Sequence, residues 1–200
     1  MEQEQQKKSV WANPTPAGLV ALAVACFLFF AMLTGQVEAS AAPLMGIWLL
    51  AGFVVQLIVG VLDLKAGNGV GGNAFFFFAA FFMLVGGLEF LYKWQAGSMG
   101  MSLDARIDGW AWIVLTLTMW LWTVAFLKSP FLLTAILLCV DVALPFIALA
   151  DLGVIAKSMT AISGWALLLA GVIAVYFAGA LMINDAFSKK VLPVPGPLVK

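Results

Sequence analysis

The chain has 200 residues, 64% of them hydrophobic and 10% charged, with no His and no net charge. A water-soluble domain carries roughly a quarter charged residues, so most of this surface must face something other than water. The balanced charge offers no electrostatic footprint for nucleic acid, and none is expected as a partner.

Six apolar runs follow one another, at 17–33, 43–62, 74–92, 109–127, 131–149 and 162–183. A helix needs about 20 apolar residues to cross a bilayer, and the runs are of that order. They rarely alternate polar with apolar residues, which argues against a β-barrel, whereas helices satisfy their own backbone groups in lipid. The expected fold class is an all-α membrane protein with six transmembrane helices. A tail (1–12) leads into the transmembrane domain (13–187), and a second tail (188–200) follows it. The first run lacks the cleavage pattern of a signal peptide and counts as a span. Six spans put both termini on one side. Lys7, Lys8, Lys65, Lys128, Lys189, Lys190 and Lys200 fall on that side, against Lys93, Arg106 and Lys157 on the other. The positive-inside rule then places both termini in the cytoplasm, with the plasma (inner) membrane as the location. Trp11, Trp94, Trp110 and Trp165 fall near span ends, where indole rings favour the interface.

The first span opens with "WANPTPAGLVAL" (11–22). Asn13 is a strong N-cap type, Pro14 suits the first helical position, and Pro16 is tolerated in the first turn. Free N–H groups and the positive dipole end would gather there and suit a carboxylate; the plainer reading is a cap and nothing more. Ala17, Ala21 and Ala25 form a small-residue stripe, as do Ala166, Ala170, Ala174 and Ala178 in the last span. In the second span Gly52, Gln56 and Gly60 share a stripe, and the Gln56 amide must find a partner or a wet cavity. A Gly-rich turn, "DLKAGNGVGGN" (63–73), leads to "AFFFFAAFF" (74–82), whose phenylalanines mostly meet lipid or neighbouring helices while one can narrow a pore. Glu89, close to its span end, can snorkel. "KSP" makes the fourth and fifth spans antiparallel neighbours. Asp141 lies near the middle of the fifth span with no Lys or Arg in any span to pair with it, so it is either neutral or faces water. Pro145 removes the N–H that would bond the Asp141 carbonyl. Cys26 and Cys139 sit in apolar runs as packing residues. The last tail, "DAFSKKVLPVPGPLVK", reads as an extended end.

These residues resemble the acetate uptake transporter family, which includes bacterial succinate–acetate permeases and fungal acetate permeases. "NPTPAGL" (13–19) is similar to that family's Asn-Pro-Ala-Pro-Leu-Gly-Leu signature, departing at Thr15 and Ala17. "QLIVGVLDLKAGN" (56–68), the Gly-Trp, Tyr176, Asn184 and Phe187 of the last span, and "VLP" (191–193) follow in the family's order. The resemblance implies a homohexamer of six-helix protomers, each with a pathway for acetate and related small carboxylates, working as a channel or a proton-coupled permease. By position it implies an entrance at Asn13, Pro14, Pro16, Gly18 and Leu19. It implies an apolar constriction at Leu22, Phe78 and Val140, where the family has Phe, Tyr and Leu. These departures suggest a wider and drier narrow point that admits larger monocarboxylates. Ala174 matches a small pore-lining position, and Gln56, Asp141 and Asn184 are the polar or proton-carrying candidates of the pathway.

The rival from the same class is a six-helix urea or amide channel, selecting through paired amide and carbonyl groups. A membrane-integral enzyme would need a nucleophile–base pair or a metal cluster. With no His and two isolated Cys, no catalytic residue, cofactor or metal is expected. A sensor or assembly protein, which would move no carboxylate, is the third possibility.

Overall fold

A computed structural model describes residues 12–199. Lys7, Lys8, Trp11 and Lys200, which entered the charge and interface expectations above, lie outside the described residues, as does nearly all of the 1–12 tail. Six helices are long and apolar enough to cross a membrane, and among the described residues there is no strand. They are α1 (Thr15–Leu33), α2 (Ala42–Lys65), α3 (Gly69–Ser98), α4 (Arg106–Phe126), α5 (Phe131–Asp151) and α6 (Thr160–Ala186). This is a multi-pass membrane protein.

Each helix packs closely on the next in chain order except at the α3–α4 step, and α6 returns to α1. The α1–α6 contact uses part of the small-residue stripes that the sequence aligns, Ala17 being exposed and Ala166 half-buried. Ala21, Ala25, Ala170, Ala174 and Ala178 are all buried, and a Cβ on Gly171 would come 3.0 Å from the Cβ of Cys26. Close backbone approach of this kind gives lipid-embedded helices their dispersion contact. Gly52 and Gly60 serve the α2–α3 contact in the same way, against Met83 and Phe76.

The α3–α4 seam is different. It is bridged by aromatic pairs, Phe77 with Trp122 (centroids 5.6 Å apart) and Phe82 with Trp112 (5.1 Å). Near one end of the bundle Lys93 of α3 donates to Asp108 of α4 at 2.6 Å and to Glu89 at 3.0 Å, so Glu89 has an ion partner and does not simply reach for water. An open groove of about 510 Å³ lies along the other end of this seam, between Val70, Asn73, Trp122 and Ala125.

Between Phe78 and Val85 α3 widens into a π-helix, which the sequence does not announce. The wider turn changes which side chains share a face. Phe75, Phe77, Phe78 and Phe82 are buried, Phe76 is half-buried and Phe81 is exposed. Four of the phenylalanines in the run therefore fill the interior.

Most buried hydroxyls bond backbone carbonyls: Thr116 to Trp112, Thr134 to Phe126, and Ser163 across helices to Ala143. Trp94, Trp110 and Trp165 are exposed near helix ends, as an interfacial belt requires. Outside the helices, Arg106 holds the exposed Asp104 carboxyl down at about 2.

The tail does not trail away. Asn184 Oδ1 accepts the N–H groups of Val191 and Leu192 at 2.7 and 2.8 Å, and its Nδ2 donates to the Leu192 carbonyl at 2.8 Å. Tyr176 donates to the Pro193 carbonyl at 2.9 Å. The Phe131 N–H bonds Pro195, and the Val199 N–H bonds Leu127. The prolines keep this segment extended, and the bonds fold it back across the ends of α4, α5 and α6.

Candidate functional site

At the end of the bundle where α1 begins, a cavity of about 60 Å³ opens between α1, α2, α3, α4 and α5. Its polar wall is Thr15, Asp63 and Asn68; deeper, Leu19, Leu22 and Phe78 close it. A volume of that size holds a few waters or one small solute. Beyond Leu22 and Phe78 the interior is one apolar cluster that includes Cys26, Phe82, Met119, Val140 and Leu144.

The start of α1 departs from the sequence expectation by one residue. The helix begins at Thr15 and Pro14 occupies the N-cap place, while Asn13 sits before it and its Oδ1 accepts the Thr15 N–H at 3.0 Å. Pro14 and Pro16 have no N–H, and the Ala17 N–H bonds the Pro14 carbonyl at 3.1 Å. The donors expected to gather here for a carboxylate are thus already used or missing. What remains is the positive end of the helix dipole. Asn13 is exposed, Pro14 is half-buried, and Pro16, Gly18 and Leu19 are buried, with Leu19 on the cavity wall.

Gly18 matters for a second reason. A Cβ there would collide with the ring of Phe75, which also lines the cavity. The Gly18 carbonyl accepts Gln56 Nε2 at 3.1 Å, deep in the α1–α2 contact. Gln56 is fully buried and its Oε1 has no partner among the described residues. The amide that the sequence required to be satisfied finds one partner across a helix contact and stays off the cavity wall.

Of the three residues expected at the constriction, Leu22 and Phe78 both line the cavity. Val140 does not: it is fully buried in the apolar cluster, and Ile136 and Leu137 on the preceding turn take the α5 part of the wall. Loose register in a largely apolar helix is the reason, since neighbouring turns carry similar aliphatic side chains.

Three further candidates also stand apart from the cavity. Asp141 is half-buried in the α4–α5 seam beside Thr123; Asp141 Oδ1 and Thr123 Oγ1 lack partners among the described residues by hydrogen-bond geometry. The carbonyl that Pro145 frees is taken by the Trp120 indole at 3.1 Å. Asn184 is occupied with the tail, because its amide matches the donor and acceptor groups of two adjacent residues there. Ala174 is fully buried in the interior rather than on the cavity wall. Enlarging it to Leu is expected to overpack that contact at a cost of about 1–3 kcal/mol. A thermal midpoint in detergent well below that of the parent protein would register it; an unchanged midpoint with slowed transport would return Ala174 to a pore wall.

The cavity-wall residue that sequence reasoning left out of the site is Asp63. It was visible only as the acidic position in "VLDLKAGN", and nothing in that string reveals burial. Gly67, at φ +84°, turns the chain sharply after α2 and brings Asn68 back onto the carboxyl, where Asn68 Nδ2 donates to Asp63 Oδ2 at 3.1 Å. Asp63 is 3% exposed. Among the described residues no group of His, Cys, Asp or Glu side chains gathers as a metal site would.

The fold is similar to that of a solved bacterial acetate channel, SatP, with a TM-score of 0.77 at 23% identity, covering 92% of this chain and 99% of that one. The succinate-acetate/proton symporter SatP of Escherichia coli K12 is 28% identical over 186 residues, 92% of this chain and 95% of the relative. The SatP symporter of Shigella flexneri matches to the same extent. The match to the GPR1/FUN34/yaaH family runs over residues 2–196, so it takes in the cavity, the aromatic seam and most of the returning tail. This chain belongs to the GPR1/FUN34/yaaH family.

Proposed function

We propose that this protein is a membrane channel or proton-coupled permease for acetate and related small carboxylates. The observation that carries the reading is the cavity at the start of α1, polar at Thr15, Asp63 and Asn68 and closed by Leu22 and Phe78. It has the two parts such a pathway requires. The polar mouth and the helix dipole lower the cost of bringing a carboxyl group out of water. The apolar stretch beyond rejects ions and bulky solutes. Full-length kinship with succinate-acetate/proton symporters supports the choice of substrate class.

In the same reading the protomers assemble as homohexamers in the plasma membrane with both termini in the cytoplasm, and the chain is not an enzyme. The lipid- or partner-facing side is consistent with assembly, with Trp48, Leu121 and Val124 among its exposed apolar residues. Asn13 guides the substrate to the mouth, and Leu22 with Phe78 sets the size limit. Smaller side chains there than in the family pattern let monocarboxylates larger than acetate pass.

Labelled-acetate flux into proteoliposomes, measured above protein-free vesicles, is expected to be saturable and competed by propionate and lactate. Vesicles that move no acetate sink the reading. Competition by urea but not by propionate would favour the amide channel. Total exclusion of propionate and lactate would remove the wider size limit alone.

A further inference from the structure

On the cavity wall the single titratable side chain, Asp63, has the same charge sign as the proposed substrate. Its carboxyl is almost fully enclosed, and the only bond recorded for it among the described residues comes from an amide, Asn68 Nδ2. Asn68 is itself fixed, because its Oδ1 accepts the Gly71 N–H at 2.9 Å at the start of α3. A side chain on Gly71 would press on both partners, its Cβ falling 2.9 Å from Asp63 Oδ2. The glycine thus keeps the pair intact.

Among the described residues no cation neutralises this carboxyl. α1, α3, α4 and α5 contribute Thr15, apolar side chains and glycine to the wall, and Asn68 comes from the turn before α3. Lys65, on the same helix, and Lys128, beyond α4, are exposed and form no ion pair among the described residues. Asp63 lies in the last turn of α2, where the negative end of the helix dipole opposes charge. The Asn68 donor and the positive start of α3 favour it. Opposed influences suit a group that must be charged at one stage and neutral at another. A second carboxylate entering so small a space raises the repulsion, and a shared proton relieves it, as when two carboxyls occupy one site.

We infer that Asp63 exchanges a proton with the substrate in this cavity, so that the substrate crosses the apolar stretch beyond Leu22 and Phe78 as the uncharged acid. In one direction the O–H bond of the Asp63 acid breaks as the O–H bond of the substrate acid forms. Water then supplies a proton to the Asp63 carboxylate. In the other direction the incoming acid gives its proton to the Asp63 carboxylate, leaves as the anion, and Asp63 returns the proton to water. Either way one proton and one anion cross together. The inference rests on the carboxylate-transport reading above.

The test is labelled-acetate uptake into proteoliposomes of the full chain, above protein-free vesicles, as the ratio of flux with an imposed pH gradient to flux without one. The parent protein is expected to give a ratio of severalfold, Asp63→Glu to keep a ratio above one, and Asp63→Asn to fall to one. Asn68→Ala leaves the carboxyl but removes its donor. It is expected to move the pH of half-maximal uptake by about one unit, which a purely structural loss would not do. Parent vesicles that move acetate without responding to the gradient overturn the inference, as does an Asp63→Asn protein that keeps the parent ratio. If Asp63→Asn cannot be recovered folded, an unchanged pH profile in Asn68→Ala overturns it and the shifted profile upholds it. Parent vesicles that move no acetate at all fail the transport reading itself, a result distinct from these.

Discussion

Gly18→Val is expected to lower acetate flux about tenfold or more. The hydrogen at this position is all that separates α1 from the Phe75 ring, and any Cβ overlaps it. Phe75 is buried and lines the cavity, so the ring can yield only by swinging into that space or by pushing α3 outward. Overpacking of this type costs about 1–3 kcal/mol. A penalty of that size on the open pathway corresponds to about five- to 150-fold in rate, with tenfold in its lower half. The same substitution combined with Phe75→Leu makes room and should recover part of the flux. Parent-level flux in Gly18→Val, with the protein folded in detergent, would show that the pathway does not pass this point.

Gln56→Ala should destabilise the fold by about 2–4 kcal/mol. It empties a fully buried volume and withdraws the donor from the Gly18 carbonyl. Gln56→Leu separates the two effects. It preserves the volume and also removes the unpartnered Oε1, so its cost is expected to stay below about 1.5 kcal/mol. Thermal unfolding in detergent distinguishes them. If Leu proves as costly as Ala, the hydrogen bond rather than the packing ties α1 to α2 here. If neither variant moves the midpoint, Gln56 is not a structural tie.

These two sites mark the range of what could be read from sequence. Helix number and approximate bounds follow from apolar length, which depends on composition alone. The buried alanines of α1 and α6 follow from fourfold spacing. The need of Gln56 for a partner also follows, since an amide among glycines in an apolar run must be satisfied somewhere. The identity of that partner does not, because the Gly18 carbonyl is set by how two helices cross. Phe78 and Leu22 were placed through resemblance, and both reach the cavity. Val140 missed it by one turn.

Asp141 and Asn184 stand apart from the cavity, and sequence could not foresee this for a common reason. A polar residue in an apolar span signals that a partner exists, without saying whether it is substrate or protein. For Asn184 the partner is the tail, forty-odd ångströms of fully extended chain at most, and no periodicity links the two. For Asp141 the neighbours are Thr123 and Trp120 of α4, while the freed carbonyl that Pro145 implied does find its donor. Asp63 was overlooked for the opposite reason. At a helix end an acid is usually solvated, and only the turn at Gly67 folds Asn68 back over it. The π-helix had no sequence signal, because a run of phenylalanines suits either helical pitch.

The returning tail has a consequence for biosynthesis. Leu127 and Phe131, at the junction of α4 and α5, take their backbone partners from Val199 and Pro195. That corner is completed only once residues 195–199 have left the ribosome. A nascent chain halted before residue 190 would carry all six helices yet leave the Leu127 carbonyl and the Phe131 N–H without these partners.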